Sequence, residues 1–259
     1  MSDWKERTRL LCGDDAVSKF AASTVAIVGI GGVGGYAAEM LVRAGIGHLI
    51  IVDCDNVSES NKNRQLLALD STVGRLKCEV LGERLRDINP DLDLTCIGKY
   101  IIADDALRVD NTLDNPLKIP FPEDSVKVNE ILDGHKLDYV VDAIDTLGPK
   151  LSLIHYCLCG NIPLVSSMGA GAKFDATKVR VTDISETYQC PLAHMLRKRL
   201  HKMGIRSGFK AVFSEEQPVE SAMVPGESCN KKTQVGTISY IPAVFGCVCA
   251  QTVICDLMK

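Results

Sequence analysis

A glycine-rich turn between two short apolar segments limits most strongly what this chain can fold into. Residues 24–30 are a short β-branched run typical of a buried strand, and residues 29–34 at its end contain four glycines. A helix is predicted over 36–44, and a second buried strand over 48–53. Strand, glycine turn, helix and strand in this order form a βαβ unit, which requires a parallel sheet.

The rest of the chain predicts an α/β fold with a Rossmann-like sheet. Strands and helices alternate up to Ser167, whereas segment 178–184 has the alternating pattern of an exposed or antiparallel strand. We therefore expect a sheet that is parallel in the N-terminal half and mixed or antiparallel in the C-terminal half, with helices on both faces. The other predicted helices are 1–20, 74–88, 149–159, 192–203 and 241–257, and the other predicted strands are 92–97, 137–143, 162–167 and 211–214.

Two segments interrupt this alternation. Residues 103–135 mix charge, proline and asparagine, and residues 215–235 are polar with two prolines, so both are predicted to be variable surface insertions. We expect residues 1–259 to form a single domain around them. The N-terminal helix is partly amphipathic, and its expected anchors are Trp4, Leu10, Leu11, Val17 and Phe20.

Composition excludes several classes of protein. A chain of 259 residues with 46% apolar and 24% charged residues can bury an ordinary core without disulfides or a metal. The net charge of -4 gives no chain-wide basic footprint for nucleic acid, although a local basic patch stays open. The 11 cysteines are irregularly spaced, the polar N-terminus lacks a signal peptide, and no apolar run reaches a transmembrane length. We expect a cytoplasmic protein with reduced thiols and no membrane association.

The glycine turn and the segment after the second strand predict an adenine-nucleotide site. Glycines let the backbone approach phosphate at a helix N-terminus, and the carboxylate of Asp53 is suited to a ribose hydroxyl. These features do not separate ATP from NAD or FAD. The basic residues that follow favour ATP, because they neutralise charge on the β- and γ-phosphates. The predicted nucleotide-binding residues are Gly29, Gly31, Gly32, Gly34, Asp53, Asp55, Asn61, Arg64, Gln65 and Lys77.

Two carboxylates follow the predicted strand 137–143. Asp142 and Asp145 fall at the edge where ligands bind in parallel sheets. Mg²⁺ is usually held by one or two carboxylates together with phosphate oxygens. The alternative is that either carboxylate caps the next helix. We predict that one of the two holds Mg²⁺ and that the other is structural.

These motifs together resemble the ubiquitin-activating superfamily. The resemblance covers roughly residues 20–170 and rests on Gly29-Ile-Gly-Gly-Val-Gly34, Asp53-x-Asp55, Asn61-x-x-Arg64-Gln65, Thr72-Val-Gly-x-x-Lys77, Ile88-Asn-Pro90 and Asp142-x-x-Asp145. It implies an ATP-dependent adenylating enzyme in which Asp145 is the residue that organises Mg²⁺. It also implies a homodimer in which Arg9 enters the partner subunit's site as an arginine finger. The catalytic residues implied by the resemblance are Arg9, Arg64, Lys77 and Asp145.

Within that superfamily, the chain is similar to the tRNA threonylcarbamoyladenosine dehydratases. This similarity spans nearly the whole chain outside 103–135 and 217–233, and includes Asp142-Ala-Ile-Asp145 with Lys150, Gly169-Ala-Gly171, Pro191-Leu-Ala193 and Phe245-Gly246. It implies ligase-type adenylation of the threonylcarbamoyl carboxylate on a tRNA adenosine, followed by ring closure with loss of water. A tRNA carrying threonylcarbamoyladenosine is the implied partner, and a sulfur-transfer protein stays open as a second one.

Three other functions remain open. The first is adenylation of the C-terminus of a small ubiquitin-like or sulfur-carrier protein. The second is an NAD-dependent oxidoreductase, which would share residues 29–53 but leave Arg64, Lys77 and Asp145 unused. The third is an adaptor that binds nucleotide without turnover.

Cysteine spacing bears on the first alternative. Many sulfur-carrier activating relatives hold structural zinc on two Cys-x-x-Cys pairs, whereas this chain has Cys157-x-Cys159 and Cys247-x-Cys249. Both pairs fall on predicted helices, where residues two apart do not share a face. We therefore predict no zinc.

The predicted helix 192–203 carries two further candidates. Cys190 precedes it, and because a helix N-terminus favours the thiolate, Cys190 is a candidate thioester nucleophile. The helix is also the most basic segment of the chain, so it is a candidate RNA contact, although a run of charge is usually a solvated face. The candidate RNA-contacting residues are Arg197, Lys198, Arg199 and Lys202.

Overall fold

The computed structural model describes residues 3–104, 123–228 and 231–259, without the side chains of 225–228 and 231–233. The strands are β1 (Thr24–Val28), β2 (His48–Val52), β3 (Asp93–Ile97), β4 (Tyr139–Asp142), β5 (Leu164–Ser167), β6 (Val179–Asp183), β7 (Lys210–Ser214), β8 (Met223–Ser228) and β9 (Lys231–Val235). The helices are α1 (Glu6–Cys12), α2 (Asp14–Ala22), α3 (Gly34–Ala44), α4 (Lys77–Ile88), α5 (Val128–Leu132), α6 (Leu147–Cys159), α7 (Pro191–Lys202) and α8 (Tyr240–Leu257).

Seven strands form one sheet in the order β3-β2-β1-β4-β5-β7-β6. Every neighbouring pair in it is parallel except β6 and β7, which are antiparallel. Side chains alternate between the two faces of each strand, so Val25 and Ile27 pack under α2, α3, α4 and α8, whereas Ala26 and Val28 pack under α5, α6 and α7. This arrangement confirms the predicted α/β class and its antiparallel C-terminal part.

The strand order creates a crevice at the carboxyl ends of β1 and β4. From β1 the chain moves outward to β2 and β3, and then crosses back to β4 on the other side of β1. Ligands of open parallel sheets bind where the strand order reverses in this way. The glycine turn follows β1 and the two carboxylates follow β4, so the topology brings both motifs to this crevice.

The N-terminal helix differs from its prediction. Gly13, with a φ of 86°, separates α1 from α2. Val17 and Phe20 of α2 are buried as expected, whereas Leu10 and Leu11 of α1 are 81% and 86% exposed and Trp4 is also exposed. The prediction of these three as anchors is therefore wrong in the single chain, because α1 packs mainly on α2 and has no buried residue.

The second predicted insertion contains regular structure. Strands β8 and β9 form an antiparallel pair within 215–235. The base of this hairpin is tied to the loop after β5, since Ala172 N donates to Gly236 O at 2.8 Å and Val219 N donates to Ala172 O at 2.9 Å. Of the first predicted insertion, residues 105–122 lie outside the described part of the chain.

Helix α8 is apolar along its length. Contrary to the sequence expectation, it is long and apolar enough to cross a membrane by length and composition, with a mean hydropathy of 1.6. Ile241, Phe245, Cys249 and Val253 are buried, and the helix packs on α3, β5 and β7. A side chain at Gly246 would overlap the carbonyl oxygen of Val33, the residue directly before α3, so this close helix contact requires glycine. These contacts are those of a core helix in a globular protein.

The C-terminal end of α8 is clamped by one carboxylate, Asp256. It accepts hydrogen bonds from Tyr139 Oη at 2.8 Å and from Lys210 Nζ at 2.6 Å. Burial acts to raise the pKa of Asp256, but these bonds and one from Lys259 outweigh it and lower the pKa to about 2. The carboxylate therefore stabilises the fold above its ordinary pKa of 3.8, and this contribution is lost as the pH falls toward 2.

Asp256→Asn tests this clamp. We expect a loss of about 1–2 kcal/mol of unfolding free energy at pH 7, kept small because the lysine partner is partly exposed. The difference from the unmodified protein should narrow as the pH falls from 4 to 3. Urea unfolding across this pH range measures it. A difference that stays constant with pH would show that Asp256 does not act through its charge.

Candidate nucleotide-binding site

The glycine turn closes tightly against the loop after β4. Gly29 has a φ of 84°, which favours glycine, and a Cβ there would lie 2.8 Å from Ala143 O. A Cβ at Gly34, the first residue of α3, would overlap the Gly29 carbonyl oxygen. The turn therefore brings the N-terminus of α3 against the end of β4, and leaves its backbone N–H groups at the crevice.

Asp53 directly follows β2, and Lys77, the first residue of α4, lies close to it. Asp53 Oδ2 accepts a hydrogen bond from Ile30 N at 2.9 Å, so this carboxylate also braces the glycine turn. Lys77 Nζ lies 2.6 Å from Asp55 and 3.8 Å from Asp53. Burial acts to lower the pKa of Lys77, but the two carboxylates, with a smaller effect from Asp145, outweigh it and raise the pKa. Lys77 is therefore a buried cation at the edge of the crevice.

The segment after Asp55 contributes Arg64 and Gln65. The Arg64 side chain lies against Gly32, and its Nη1 donates to Ser60 O at 2.9 Å. Gln65 lies against Gly31, and its buried Oε1 accepts no hydrogen bond from any residue that the structure describes. A buried amide oxygen without a partner is costly, so it indicates a donor supplied by a ligand.

Asn61 has a structural contact that the sequence did not indicate. It is buried, and its Oδ1 accepts a hydrogen bond from Ser58 N at 3.2 Å. This contact caps the short turn at Glu59–Asn61 that leads to Arg64. Any role of Asn61 at the phosphates is therefore added to this local one.

The structure separates the two carboxylates after β4. Asp142 is fully buried and pairs with Lys150 at 2.8 Å, whereas Asp145 is exposed on the loop toward Lys77. The residue pattern left open which of the two is structural, whereas the family resemblance implied Asp145 for Mg²⁺. The complete burial of Asp142 favours the structural role for Asp142. No role was predicted for Lys150 from the sequence. Its position eight residues after the strand-end residue Asp142 could have indicated that the two side chains pair.

Arg9 does not join the other site residues within the chain. It lies on α1, where it pairs with Asp3 at 2.8 Å and with Asp14. These two carboxylates raise the pKa of Arg9. A contribution of Arg9 to catalysis therefore requires a second copy of the chain.

Cys190 is not placed as a nucleophile. Its side chain is only 4% exposed, and its Sγ accepts a hydrogen bond from Ala193 N at 3.5 Å. A thioester nucleophile must be reached by the carbonyl that it attacks. The thioester hypothesis is therefore contradicted, because the thiol caps α7 from inside the core.

Cys190→Ala should leave turnover unchanged and lower the unfolding free energy by about 1 kcal/mol, since a cap and a few core contacts are lost. Turnover per folded molecule and thermal unfolding measure the two effects. A loss of turnover much greater than the loss of folded protein would restore the thioester hypothesis.

The basic helix α7 presents only part of its predicted RNA face. Arg199 is 6% exposed, so its prediction as an RNA contact is wrong; it lies on the side of α7 that is buried against the sheet and α6. Arg197 is half-buried and donates to Thr187 Oγ1. Lys198 and Lys202 are exposed, and their four-residue spacing places them on one face of the helix.

The cysteines described by the structure are all free thiols. Cys157 and Cys249 are buried, whereas Cys159 and Cys247 are exposed, so the members of each Cys-x-Cys pair point to different sides of their helix. Among the described residues, the group that could hold a metal by proximity is Asp53, Cys54 and Asp55. Two of these three pair with Lys77, and burial raises the pKa of the Cys54 thiol to about 12.

Comparison with known proteins agrees with this geometry. The sequence matches the ThiF family over residues 6–258. The chain belongs to the ThiF family. One relative of this ThiF-family chain is the tRNA threonylcarbamoyladenosine dehydratase of Bacillus subtilis, which is 37% identical over 98% of this chain and 94% of its own length.

Solved structures extend the comparison to the fold of this ThiF-family chain. The E. coli tRNA N6-threonylcarbamoyladenosine dehydratase, TcdA, in complex with AMP has a TM-score of 0.81 and 35% identity, over 99% of this chain and 96% of that one. TcdA in complex with ATP has a TM-score of 0.81 and 34% identity, over the same shares of the two chains. Both complexes hold adenine nucleotides of the class that the crevice geometry indicates.

Proposed function

We propose that this chain uses ATP to convert threonylcarbamoyladenosine in tRNA to its cyclic form. One observation carries the proposal: a chain similar over nearly its whole length to a tRNA threonylcarbamoyladenosine dehydratase also brings Asp53, Arg64, Lys77 and Asp145 to the crevice beside a glycine turn. An NAD-dependent oxidoreductase or a nucleotide-binding adaptor would give the last three residues no chemical role.

The chemistry follows from the poor leaving ability of a carboxylate oxygen. The substrate carboxylate attacks the α-phosphorus of ATP, the bond to pyrophosphate breaks, and an acyl adenylate forms. A nitrogen of the same side chain then attacks the activated carbonyl carbon, the bond to AMP breaks, and the nitrogen loses its proton. The elements of water are removed and ATP becomes AMP and pyrophosphate. Because the nucleophile is part of the substrate, proximity makes ring closure unimolecular.

The residues of the crevice act on charge and position. The turn after β1 supplies N–H groups to the phosphates, and Asp53 is placed to bind the ribose. Arg64 and Lys77 neutralise charge that moves onto the leaving pyrophosphate. Lys77 is paired with Asp55, and the neighbouring carboxylates raise its pKa, so it offers a charged ammonium group to the phosphates.

Asp145 fits a divalent cation. It is an exposed carboxylate on the loop after β4, within electrostatic range of Lys77, and oxygen ligands suit Mg²⁺. Mg²⁺ held between Asp145 and the phosphates would neutralise charge on the triphosphate. We also propose that the protein needs no zinc.

The assembly and the RNA surface belong to the same proposal. We expect a cytoplasmic homodimer in which Arg9 reaches the partner's crevice, and the support for it is an exposed α1 that carries Arg9 beside two exposed leucines. Lys198 and Lys202 on α7 are the remaining candidates for RNA phosphate contacts. A sulfur-transfer protein is a further candidate partner.

The decisive experiment is mass spectrometry of nucleosides from tRNA that carries threonylcarbamoyladenosine, after incubation with the protein, ATP and Mg²⁺. The expected result is an ATP-dependent loss of one water from that nucleoside. An unchanged nucleoside mass, with ATP–pyrophosphate exchange triggered instead by a ubiquitin-like or sulfur-carrier protein, would overturn the substrate and keep the adenylation chemistry.

A further inference from the structure

A buried ion pair lies directly beneath the loop that carries Asp145. Asp142 and Lys150 have fully buried side chains, and Lys150 Nζ lies 2.8 Å from Asp142 Oδ2. Taking two charges out of water costs free energy that their attraction often fails to return, and apolar residues of similar volume are frequently as stable. Fold stability alone therefore gives little reason for an ion pair at this place.

The pair holds both polar backbone groups of the residue before Asp145. Ile144 N donates to Asp142 Oδ1 at 3.1 Å, and Lys150 Nζ donates to Ile144 O at 3.0 Å. With its N–H and its carbonyl both fixed, Ile144 cannot rotate independently of the buried pair. The two hydrogen bonds to Ile144 therefore fix the direction of the backbone that leads into Asp145.

The same pair reaches the end of β5. Ser166 Oγ donates to Asp142 Oδ2 at 2.6 Å, and Lys150 Nζ donates to Ser167 O at 2.8 Å. An ammonium group has three donors, and here they meet three acceptors: Asp142 Oδ2, Ile144 O and Ser167 O. Neither an apolar side chain nor the planar guanidinium of arginine reproduces this arrangement.

We propose that Lys150 and Asp142 are positioning residues that aim the Asp145 carboxylate at the cation on the ATP phosphates. The inference rests on the proposed function, because it assumes that Asp145 holds Mg²⁺. Both side chains of the pair are fully buried, so the proposed role does not require them to contact the nucleotide or the cation. It acts through the backbone of Ile144, which leads directly into Asp145.

Calorimetric titration of ATP with and without Mg²⁺ tests this role without any tRNA. Lys150→Met removes the three donors and keeps an unbranched side chain. Mg²⁺ should increase the ATP affinity of the unmodified protein, and we expect this increase to be about tenfold smaller in the variant. A loss of this size is typical when a residue that orients a metal ligand is replaced. The affinity for ATP in the presence of a chelator should stay within a factor of two.

Lys210→Met is the matched control. It makes the same substitution, breaks the Lys210–Asp256 pair and destabilises the fold at the amino end of β7, away from the carboxyl ends of the strands where the crevice lies. It should lower the melting temperature and leave the Mg²⁺ effect on ATP affinity unchanged. If Lys150→Met does not fold, Ser166→Ala removes the single bond to Asp142 and should shift the Mg²⁺ effect in the same direction by a smaller factor.

Two outcomes would overturn the inference. One is an unchanged Mg²⁺ effect in folded Lys150→Met or Ser166→Ala, which would leave the pair a purely structural feature. The other is an unmodified protein whose ATP affinity does not respond to Mg²⁺. Since neither readout involves tRNA, a wrong substrate would appear only as an unchanged nucleoside mass.

Discussion

Replacing Asp145 with asparagine should lower ATP-dependent turnover by about 10²–10³-fold and leave thermal unfolding unchanged. The side chain is exposed, so its charge contributes to chemistry at the crevice rather than to the core. Asparagine keeps the size but removes the negative charge that we propose to hold Mg²⁺. Initial rates of pyrophosphate release under saturating ATP, together with a melting curve, measure the two effects.

Asp91→Asn provides the control for that experiment. Asp91 is also exposed, but it lies between α4 and the start of β3. This position is at the amino ends of the parallel strands, whereas the crevice lies at their carboxyl ends. The same chemical change there should leave both turnover and unfolding as they were. Equal losses of turnover in the two variants, or a turnover in Asp145→Asn close to that of the unmodified protein, would remove Asp145 from the catalytic group.

Gly34→Ala should abolish ATP binding and destabilise the fold by about 3 kcal/mol or more, because overlapping backbone must move. The added methyl group would occupy the place of the Gly29 carbonyl oxygen and would also press on the Ala143 side chain at 3.3 Å. The turn would have to open where α3 should meet the phosphates. Urea unfolding and ATP titration measure the effects.

Gly31→Ala isolates the geometric cause. It lies in the same turn, but its added methyl group would meet only the Gln65 side chain, at 3.4 Å. We expect its melting temperature to stay close to that of the unmodified protein. If Gly34→Ala were as stable as Gly31→Ala, the tight closure of the turn would not be what the glycine provides.

Much of the architecture could be predicted from local pattern. The buried run before the glycine turn and its repeat at β2 identify parallel strands, and the alternating residues of β6 identify an antiparallel one. These signals are local, because the order of apolar and polar residues within a strand indicates whether both of its faces or only one is buried. The hairpin of β8 and β9 was missed although its two strands are close in sequence. Pro225, Gly226 and the polar residues of both strands hide the apolar alternation that usually predicts a strand.

The same division holds within the candidate site. The residue types and spacing of Gly29, Asp53, Arg64 and Lys77 predict a nucleotide site, because glycine conformations, charges and strand ends can be identified from the sequence itself. The residue pattern could not distinguish Asp142 from Asp145, a choice that only the family resemblance made. It also could not distinguish exposed Lys198 from buried Arg199, or a reactive Cys190 from a buried one. Burial depends on which neighbours pack over a side chain, and only the tertiary structure decides those neighbours.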